Sequence, residues 1–141
     1  MDCFFLKRDL ILIFSFDKTA GNGWFCKEKS DLDIALEDGA DDRVYLDALE
    51  KGVRASLIQA RADAVIYLAG ADPYVEDRFG RLALSKEGLA QRDRMLLHTC
   101  RKSGLPVAIT MAGGYAPNIE DIVDIHLKTV RIAAEFQEFH N

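Results

Sequence analysis

The chain has 141 residues, enough for one domain of ordinary size, and its 49% hydrophobic and 29% charged residues are typical of a soluble globular protein. The net charge of -5 argues against nucleic acid or an anionic membrane as a direct partner. Apolar runs are too short for a transmembrane helix, and charged residues interrupt the apolar amino-terminal stretch, so neither a membrane span nor a signal peptide is predicted.

Cysteine usage suggests a reducing compartment. Cys3, Cys26 and Cys100 are widely spaced and form no C-x-x-C pair. This pattern favours free thiols in a cytoplasmic protein and gives no sign of a cysteine zinc site.

The first half of the chain predicts two strands and a helix. Residues 10–16 (LILIFSF) have the length and composition of a buried strand. Apolar residues alternate with mostly polar ones over residues 31–37, which fits a short half-exposed strand or extended segment. Asp41 or Asp42 can cap a helix that runs to about Ala62.

Residues 64–68 (AVIYL) predict the next strand. Residues at odd and even positions alike are apolar, which is typical of a parallel strand buried on both faces. Asp72 follows just past its carboxyl end, where open α/β sheets place their ligands. A simple turn started by Asp72 and Pro73 is the alternative explanation.

The remaining elements alternate in the same way. Ser85 is a candidate N-cap for a helix that ends near Ser103, residues 106–111 (PVAITM) predict a strand, and Asn118 can cap a last helix. Alternating strands and helices predict a layered α/β fold, and right-handed crossovers place the loops after the last two strands at one edge of the sheet. His98 and His126 fall inside the predicted helices, which favours structural roles.

Several ordered motifs resemble a known family. Residues 70–73 (GADP), 77–82 (DRFGRL), 88–89 (GL) and 92–93 (RD) resemble the second half of the zinc-dependent deacetylases. This superfamily comprises histone deacetylases, acetoin-utilisation proteins and acetylpolyamine amidohydrolases. Residues 111–115 (MAGGY) are similar to its glycine-rich loop with the catalytic tyrosine, and residues 27–33 (KEKSDLD) are similar to a segment between two later strands.

The resemblance implies a three-layer α/β fold, with a mostly parallel sheet and flanking helices. It divides the chain into residues 1–13, which carry no family motif, and residues 14–141, which correspond to the carboxyl-terminal part of the deacetylase domain. The match is to bacterial and class IV-like members.

The resemblance also implies roles for individual residues. Asp72 matches a zinc-binding aspartate, and Tyr115 matches the tyrosine whose hydroxyl donates to the developing oxyanion. Gly113 and Gly114 match the loop beside the substrate. The polar turn that supports the metal ligand is matched by Asp77 and Arg78. Ser15 matches a serine near a structural monovalent cation, expected to be K⁺, although Asp17 stands where the family has a histidine.

Two family motifs are not found. The paired histidines and the Asp-x-His zinc ligands have no counterpart, since Asp124-Ile125-His126 has the right letters but lies within a predicted helix. A zinc site needs about three protein ligands. We therefore expect a truncated chain that is inactive alone and binds Zn²⁺ only with the missing half of the site.

Two functions stay open. One is a deacetylase acting on protein acetyl-lysine or a small acetylated molecule when complemented, and the other is a non-catalytic remnant or interaction module. A small α/β binding domain unrelated to deacetylases is a third, weaker interpretation. Without the neighbouring strands of the family domain, we expect the chain to self-associate through its strand edges or to expose an edge and an apolar patch.

Overall fold

The structure is a computed structural model. It describes residues 31–137 with their side chains, and the backbone of two strands, residues 2–7 and 10–18. Residues 27–30 of the family-like segment 27–33 lie outside this part.

The described residues form an α/β fold. In chain order the elements are β1 (Asp2–Lys7), β2 (Leu10–Lys18), β3 (Leu32–Leu36), α1 (Asp42–Ala60), β4 (Ala64–Ala69), α2 (Lys86–Lys102), β5 (Val107–Met111) and α3 (Ile119–Gln137). The α/β class predicted from the sequence is confirmed, with a sheet flanked by helices. No helix in the described residues is long and apolar enough to cross a membrane.

The helices begin at the predicted capping residues. The carboxylate of Asp41 accepts a hydrogen bond from the N–H of Val44 at 3.0 Å, and the hydroxyl of Ser85 accepts one from the N–H of Gly88 at 2.9 Å. Asn118 accepts one from the N–H of Glu120 at 3.2 Å. These side chains satisfy N–H groups that have no partner within the first turn of a helix.

The sheet has the order β3-β2-β1-β4-β5. β2 pairs in parallel with β3, and β4 pairs in parallel with β5. β1 lies between these two pairs and runs antiparallel to both, with Phe4 opposite Ile13 on one side and Ile66 on the other. The sheet therefore combines two parallel pairs through one antiparallel central strand.

The position of β1 corrects one expectation. The resemblance implies that the strand at residues 10–16 lacks the strand that links it to the later ones, because that strand belongs to the first half of the family domain. Instead, β1 occupies the place between β2 and β4. Its location depends on pairing with residues about 60 positions away, which local sequence patterns do not reveal.

The core lies on one face of the sheet. Val65, Tyr67 and Ala69 of β4 are fully buried, and residues from α1, α2 and α3 pack with them in one hydrophobic cluster. The opposite face of β4, with Ile66 and Leu68, is only half-buried. The expected burial of this strand on both faces is therefore wrong for one face, because in the described residues all three helices cover the same side.

β5 is an edge strand. Val107 and Ile109 are half-buried beneath the helices, whereas Ala108, Thr110 and Met111 are exposed. Among the described strands, β5 pairs only with β4. The outer edge of β5 therefore has no partner strand among the described residues.

Candidate functional site

The two loops of the candidate site lie side by side at the carboxyl ends of β4 and β5. The parallel register pairs Ala69 with Met111, so the two strands end at the same level. Beyond the strands, the N–H of Ala71 donates to the carbonyl of Gly113 at 2.7 Å. The structure thus brings the loop that contains Asp72 next to the loop that contains Gly113, Gly114 and Tyr115.

Glycines make room for the carboxylate of Asp72. A Cβ atom at Gly70 would lie 2.5 Å from the Asp72 Oδ2 atom, and one at Gly113 would overlap with the same carboxylate. A Cβ at Gly80 would overlap with the main-chain carbonyl of Asp72. Asp72 itself is half-buried. Gly70 and Gly113 therefore define a narrow cradle around the Asp72 carboxylate, and Gly80 leaves room for the main chain of Asp72.

Gly113 and Gly114 have different structural tasks. Gly113 leaves space for the Asp72 carboxylate, whereas Gly114 adopts a φ of 154°, which side chains other than glycine rarely tolerate. A Cβ at Gly114 would also press against Ala71 and Ile122. The glycine pair therefore lets the last strand turn sharply towards Tyr115 while remaining close to Asp72.

Asp77 connects the two loops. One of its carboxylate oxygens accepts hydrogen bonds from the N–H groups of Phe79 at 2.8 Å and Gly80 at 2.7 Å. The other oxygen accepts from the N–H of Tyr115 at 2.6 Å. Asp77 is only 9% exposed. The Asp77 carboxylate therefore forms its hydrogen bonds inside the protein, where it holds the main chain of Tyr115 in place. Arg78 beside it is exposed.

Tyr115 presents its side chain at the surface. The residue is 55% exposed, and its ring packs edge-on against Phe79, with 5.1 Å between the ring centroids and an angle of 78°. Phe79 is 74% exposed. The main chain of Tyr115 is thus held by Asp77, while its ring forms an aromatic pair open to solvent.

A buried network of charged and polar side chains contacts the start of the loop after β4. Arg92 is fully buried, and its guanidinium donates to the carbonyl of Gly70 at 2.7 Å and to the carboxylate of Asp93 at 2.9 Å. The hydroxyls of Tyr67 and Thr129 donate to the same carboxylate at 2.5 and 2.6 Å. Burial raises the pKa of Tyr67 well above its usual value, which keeps its hydroxyl protonated as a donor.

The role of this network was missed from the sequence. Arg92 and Asp93 contribute to the family resemblance, but no structural role was predicted for them. A signal is present, because both residues are spaced three and four positions after Leu89, on the inward face of α2. A charged pair on the buried face of a helix needs partners from other elements, here Gly70, Tyr67 and Thr129.

His126 lies near the same network. It is half-buried on α3, and its Nδ1 atom is buried without a hydrogen-bond partner among the described residues. Burial lowers its pKa, the positive charge of Arg92 lowers it further, and the carboxylates of Asp72 and Asp93 oppose the shift. The side chain is therefore favoured in its neutral form.

The described residues do not complete a metal site. Within residues 31–137, no three His, Cys, Asp or Glu side chains are grouped so that they could hold a metal ion. Asp72 supplies one suitable carboxylate, whereas a zinc site needs about three protein ligands. His98 is exposed on α2, and Cys100 is a buried free thiol whose pKa is raised to about 11 by burial. The side chain of Ser15 lies outside the described residues.

Comparison with known proteins identifies the family. The histone deacetylase domain profile matches residues 16–130, so this chain belongs to the histone deacetylase family. An uncharacterised protein from Picosynechococcus sp. (strain ATCC 27264 / PCC 7002 / PR-6) is 44% identical over 109 residues, which cover 77% of this chain and 36% of that protein. The resemblance inferred from the motifs is thereby confirmed.

Solved structures show the same fold. The acetylpolyamine aminohydrolase from Burkholderia pseudomallei superposes with a TM-score of 0.60 at 20% identity, covering 74% of this chain and 29% of that chain. The HD domain of HDA15 gives a TM-score of 0.64 at 19% identity, covering 86% and 38%. This chain therefore spans between about a quarter and two fifths of the length of these relatives.

Proposed function

We propose that this chain contributes Asp72 and Tyr115 to a zinc-dependent deacetylase site that hydrolyses an acetyl amide. The observation that carries the proposal is the hydrogen bond between Ala71 and Gly113, which joins the two family-like loops at one edge of the sheet. The glycine cradle around the Asp72 carboxylate supports the same conclusion. Without this juxtaposition, the two motifs could not act on one substrate.

Each residue has a definite task in the proposal. The carboxylate of Asp72 is one ligand of the zinc ion, and the hydroxyl of Tyr115 donates a hydrogen bond to the oxyanion that develops on the acetyl carbonyl. When bound, zinc lowers the pKa of a water molecule and polarises the carbonyl. Asp77 positions Tyr115 through its main chain, and Arg92 holds the carbonyl of Gly70 beneath the loop.

The remaining ligands and the general base come from outside the described residues. In the family they belong to the paired histidines and the Asp-x-His motif. We therefore propose that the 141-residue chain has no turnover by itself and that a polypeptide carrying those motifs completes the site. Acetyl-lysine in a protein and acetylpolyamines are the candidate substrates.

The proposal is tested by complementation. The pure chain is assayed with an acetyl-lysine peptide and with an acetylated polyamine, in the presence of zinc and with or without a chelator. We expect no chelator-sensitive turnover from the chain alone, and turnover once a polypeptide bearing the histidine and Asp-x-His motifs is added. Chelator-sensitive turnover by the chain alone would contradict the proposed division of the site.

A second candidate function is a non-catalytic interaction module. The observation that favours it is the exposed apolar surface of α3, which includes Val123 and Leu127. If complementation restores no activity for any tested acetyl substrate while the chain still binds a protein partner, this second function is the better description.

A further inference from the structure

Two buried nitrogen atoms near the candidate site have no hydrogen-bond partner among the described residues. One is Nη2 of Arg92 on α2, and the other is Nδ1 of His126 on α3. The other two nitrogens of the Arg92 guanidinium are bonded, because Nε donates to Asp93 and Nη1 donates to the carbonyl of Gly70. Buried polar atoms in folded proteins almost always have a partner, so both nitrogens need one.

His126 lies between the candidate site and the buried network. Four residues earlier on α3, Ile122 packs beside the glycine-rich loop that precedes Tyr115. Three residues later, Thr129 donates to the carboxylate of Asp93 at 2.6 Å. Positions three and four apart share one side of a helix. His126 therefore belongs to the side of α3 that faces both the loop and the network.

The surroundings of His126 determine what its Nδ1 atom can do. Burial and the positive charge of Arg92 lower the pKa of the ring and favour its neutral form, which has a single N–H. A proton on the buried nitrogen would add positive charge where the guanidinium already makes the potential positive. We therefore assign the ring proton to Nε2, which leaves Nδ1 as a hydrogen-bond acceptor.

The two nitrogens require a partner that can both accept and donate a hydrogen bond. Nη2 is a donor and Nδ1 is an acceptor, and no direct hydrogen bond joins them. A carboxylate or a halide ion can only accept, and an ammonium group can only donate. A water molecule does both, and buried waters occupy sites that offer about two to four polar partners.

We propose that one internal water molecule joins Arg92 to His126, and that His126 is a positioning residue for the loop that carries Asp72. The water completes the hydrogen bonds of the guanidinium and fixes its plane. Nη1 of the guanidinium then holds the carbonyl of Gly70, two residues before Asp72. The positioning role rests on the proposed zinc site, whereas the water bridge requires neither a metal nor a second polypeptide.

The first test examines the water bridge by NMR in the full 141-residue chain. Proton–nitrogen correlation spectra should show the neutral His126 ring protonated on Nε2, with the Nδ1 shift of a hydrogen-bonded acceptor. Overhauser contacts should connect the Nη2 protons of Arg92 with a long-lived water molecule. A proton on Nδ1, the Nδ1 shift of a free nitrogen, or no bound water at Arg92 would overturn the proposal.

Amide hydrogen exchange tests the positioning role. The N–H of Ala71 donates to the carbonyl of Gly113 at 2.7 Å, so its exchange rate reports whether the Asp72 loop keeps its place. His126→Leu removes the acceptor and should speed exchange at Ala71 at least about tenfold, because this loop opens more easily. His126→Asn keeps an acceptor close to the place of Nδ1 and should stay within about threefold of the unmodified chain.

Two controls separate positioning from a general loss of stability. The N–H of Val65 donates to the carbonyl of Pro106 at 2.9 Å, at the opposite end of the β4–β5 pair, and its exchange should be unchanged in His126→Leu. His98→Leu makes the same replacement at an exposed histidine of α2 and should change neither amide. Equal acceleration at Ala71 and Val65, or equal effects of His126→Leu and His126→Asn, would contradict the positioning role.

These measurements need neither zinc nor turnover, so they remain decisive if complementation restores no activity. Conversely, loss of the water bridge would leave the roles proposed for Asp72 and Tyr115 untouched. In the complemented enzyme, His126→Leu should weaken zinc binding by about 10–100-fold, as is usual for residues that orient a metal ligand, and His126→Asn should recover most of it. Zinc affinity that is insensitive to His126→Leu would show that His126 does not position Asp72.

Discussion

Asp77 shows how a single carboxylate can organise the candidate site without taking part in its chemistry. Its two oxygens serve different loops, one after β4 and one after β5, and together they accept three main-chain hydrogen bonds. Hydrogen bonds to a charged acceptor are stronger than neutral ones. The position of Tyr115 relative to Asp72 therefore depends on a residue that has no part in the proposed chemistry.

Replacement of Asp77 by alanine should loosen both loops. The N–H groups of Phe79, Gly80 and Tyr115 would lose a shared acceptor, and we expect the free energy of unfolding to fall by about 2–3 kcal/mol. Urea denaturation followed by circular dichroism measures the change. Glu76→Ala is the control, because Glu76 is exposed beside it, and should change stability by less than about 0.5 kcal/mol. Equal effects of the two variants would show that the Asp77 bridge does not stabilise the loops.

Arg92 gives a second prediction at the residue level. Arg92→Met would leave the buried carboxylate of Asp93 without its cation, which we expect to cost about 3–5 kcal/mol of unfolding free energy. Arg92→Lys should recover only part of this loss, because a single ammonium cannot reproduce the fork that reaches both Gly70 and Asp93.

The control for Arg92 is Arg94→Met. Among the described residues, Arg94 forms a surface ion pair with Glu87 at 3.1 Å, and removing it should cost less than about 1 kcal/mol. Thermal unfolding of the unmodified chain, Arg92→Met, Arg92→Lys and Arg94→Met ranks the four proteins by stability. If Arg92→Met were as stable as Arg94→Met, the buried network around Arg92 would not contribute to stability as expected.

At the level of elements, the sequence predicts what local chemistry determines. Periodic apolar residues and the caps Asp41, Ser85 and Asn118 locate the helices, and the crossover rule correctly predicts that the loops after β4 and β5 are neighbours. Each of these features depends on residues a few positions apart or on a general rule of chain topology.

The features that were missed depend on distant partners. β1 is placed by its pairing with β2 and β4, and Arg92 can be buried only because Asp93 and the carbonyl of Gly70 receive its hydrogen bonds. The exposure of one apolar side of α3 could not be predicted either, because its apolar residues are indistinguishable from core residues until their neighbours are known. Local patterns do not contain this information.

β1 also yields a prediction about the sheet. It is the central strand, so Phe5→Pro should remove a ladder N–H and disrupt pairing with β2 and β4. We expect a lower unfolding midpoint and a broader transition, because the two parallel pairs would no longer unfold as one unit. Phe5→Val is the control and keeps strand propensity. A sharp transition at the original midpoint in Phe5→Pro would show that β1 is dispensable.

At the level of the whole molecule, the described residues combine well-supported loops with fewer metal ligands than a zinc site needs. Asp72, Tyr115 and their supports are positioned by contacts within the described residues, whereas those residues hold no cluster of three metal ligands. The chain also spans only 36% of its Picosynechococcus relative. Metal binding and oxyanion stabilisation should therefore be separable in a complemented enzyme.

Two variants should separate these roles. In the complemented enzyme, Asp72→Ala should abolish activity together with bound zinc, because it removes a ligand. Tyr115→Phe should retain the zinc and lose about 10²–10³ in kcat, the usual effect of removing one oxyanion donor. Metal analysis after gel filtration and steady-state kinetics measure the two properties independently. Arg78→Ala, which replaces an exposed residue of the neighbouring turn, is the control and should keep both the bound zinc and the activity. If Tyr115→Phe kept full activity, a donor other than Tyr115 would have to stabilise the oxyanion. If Asp72→Ala kept its zinc, Asp72 would not be a metal ligand, and the glycine cradle around it would need another explanation.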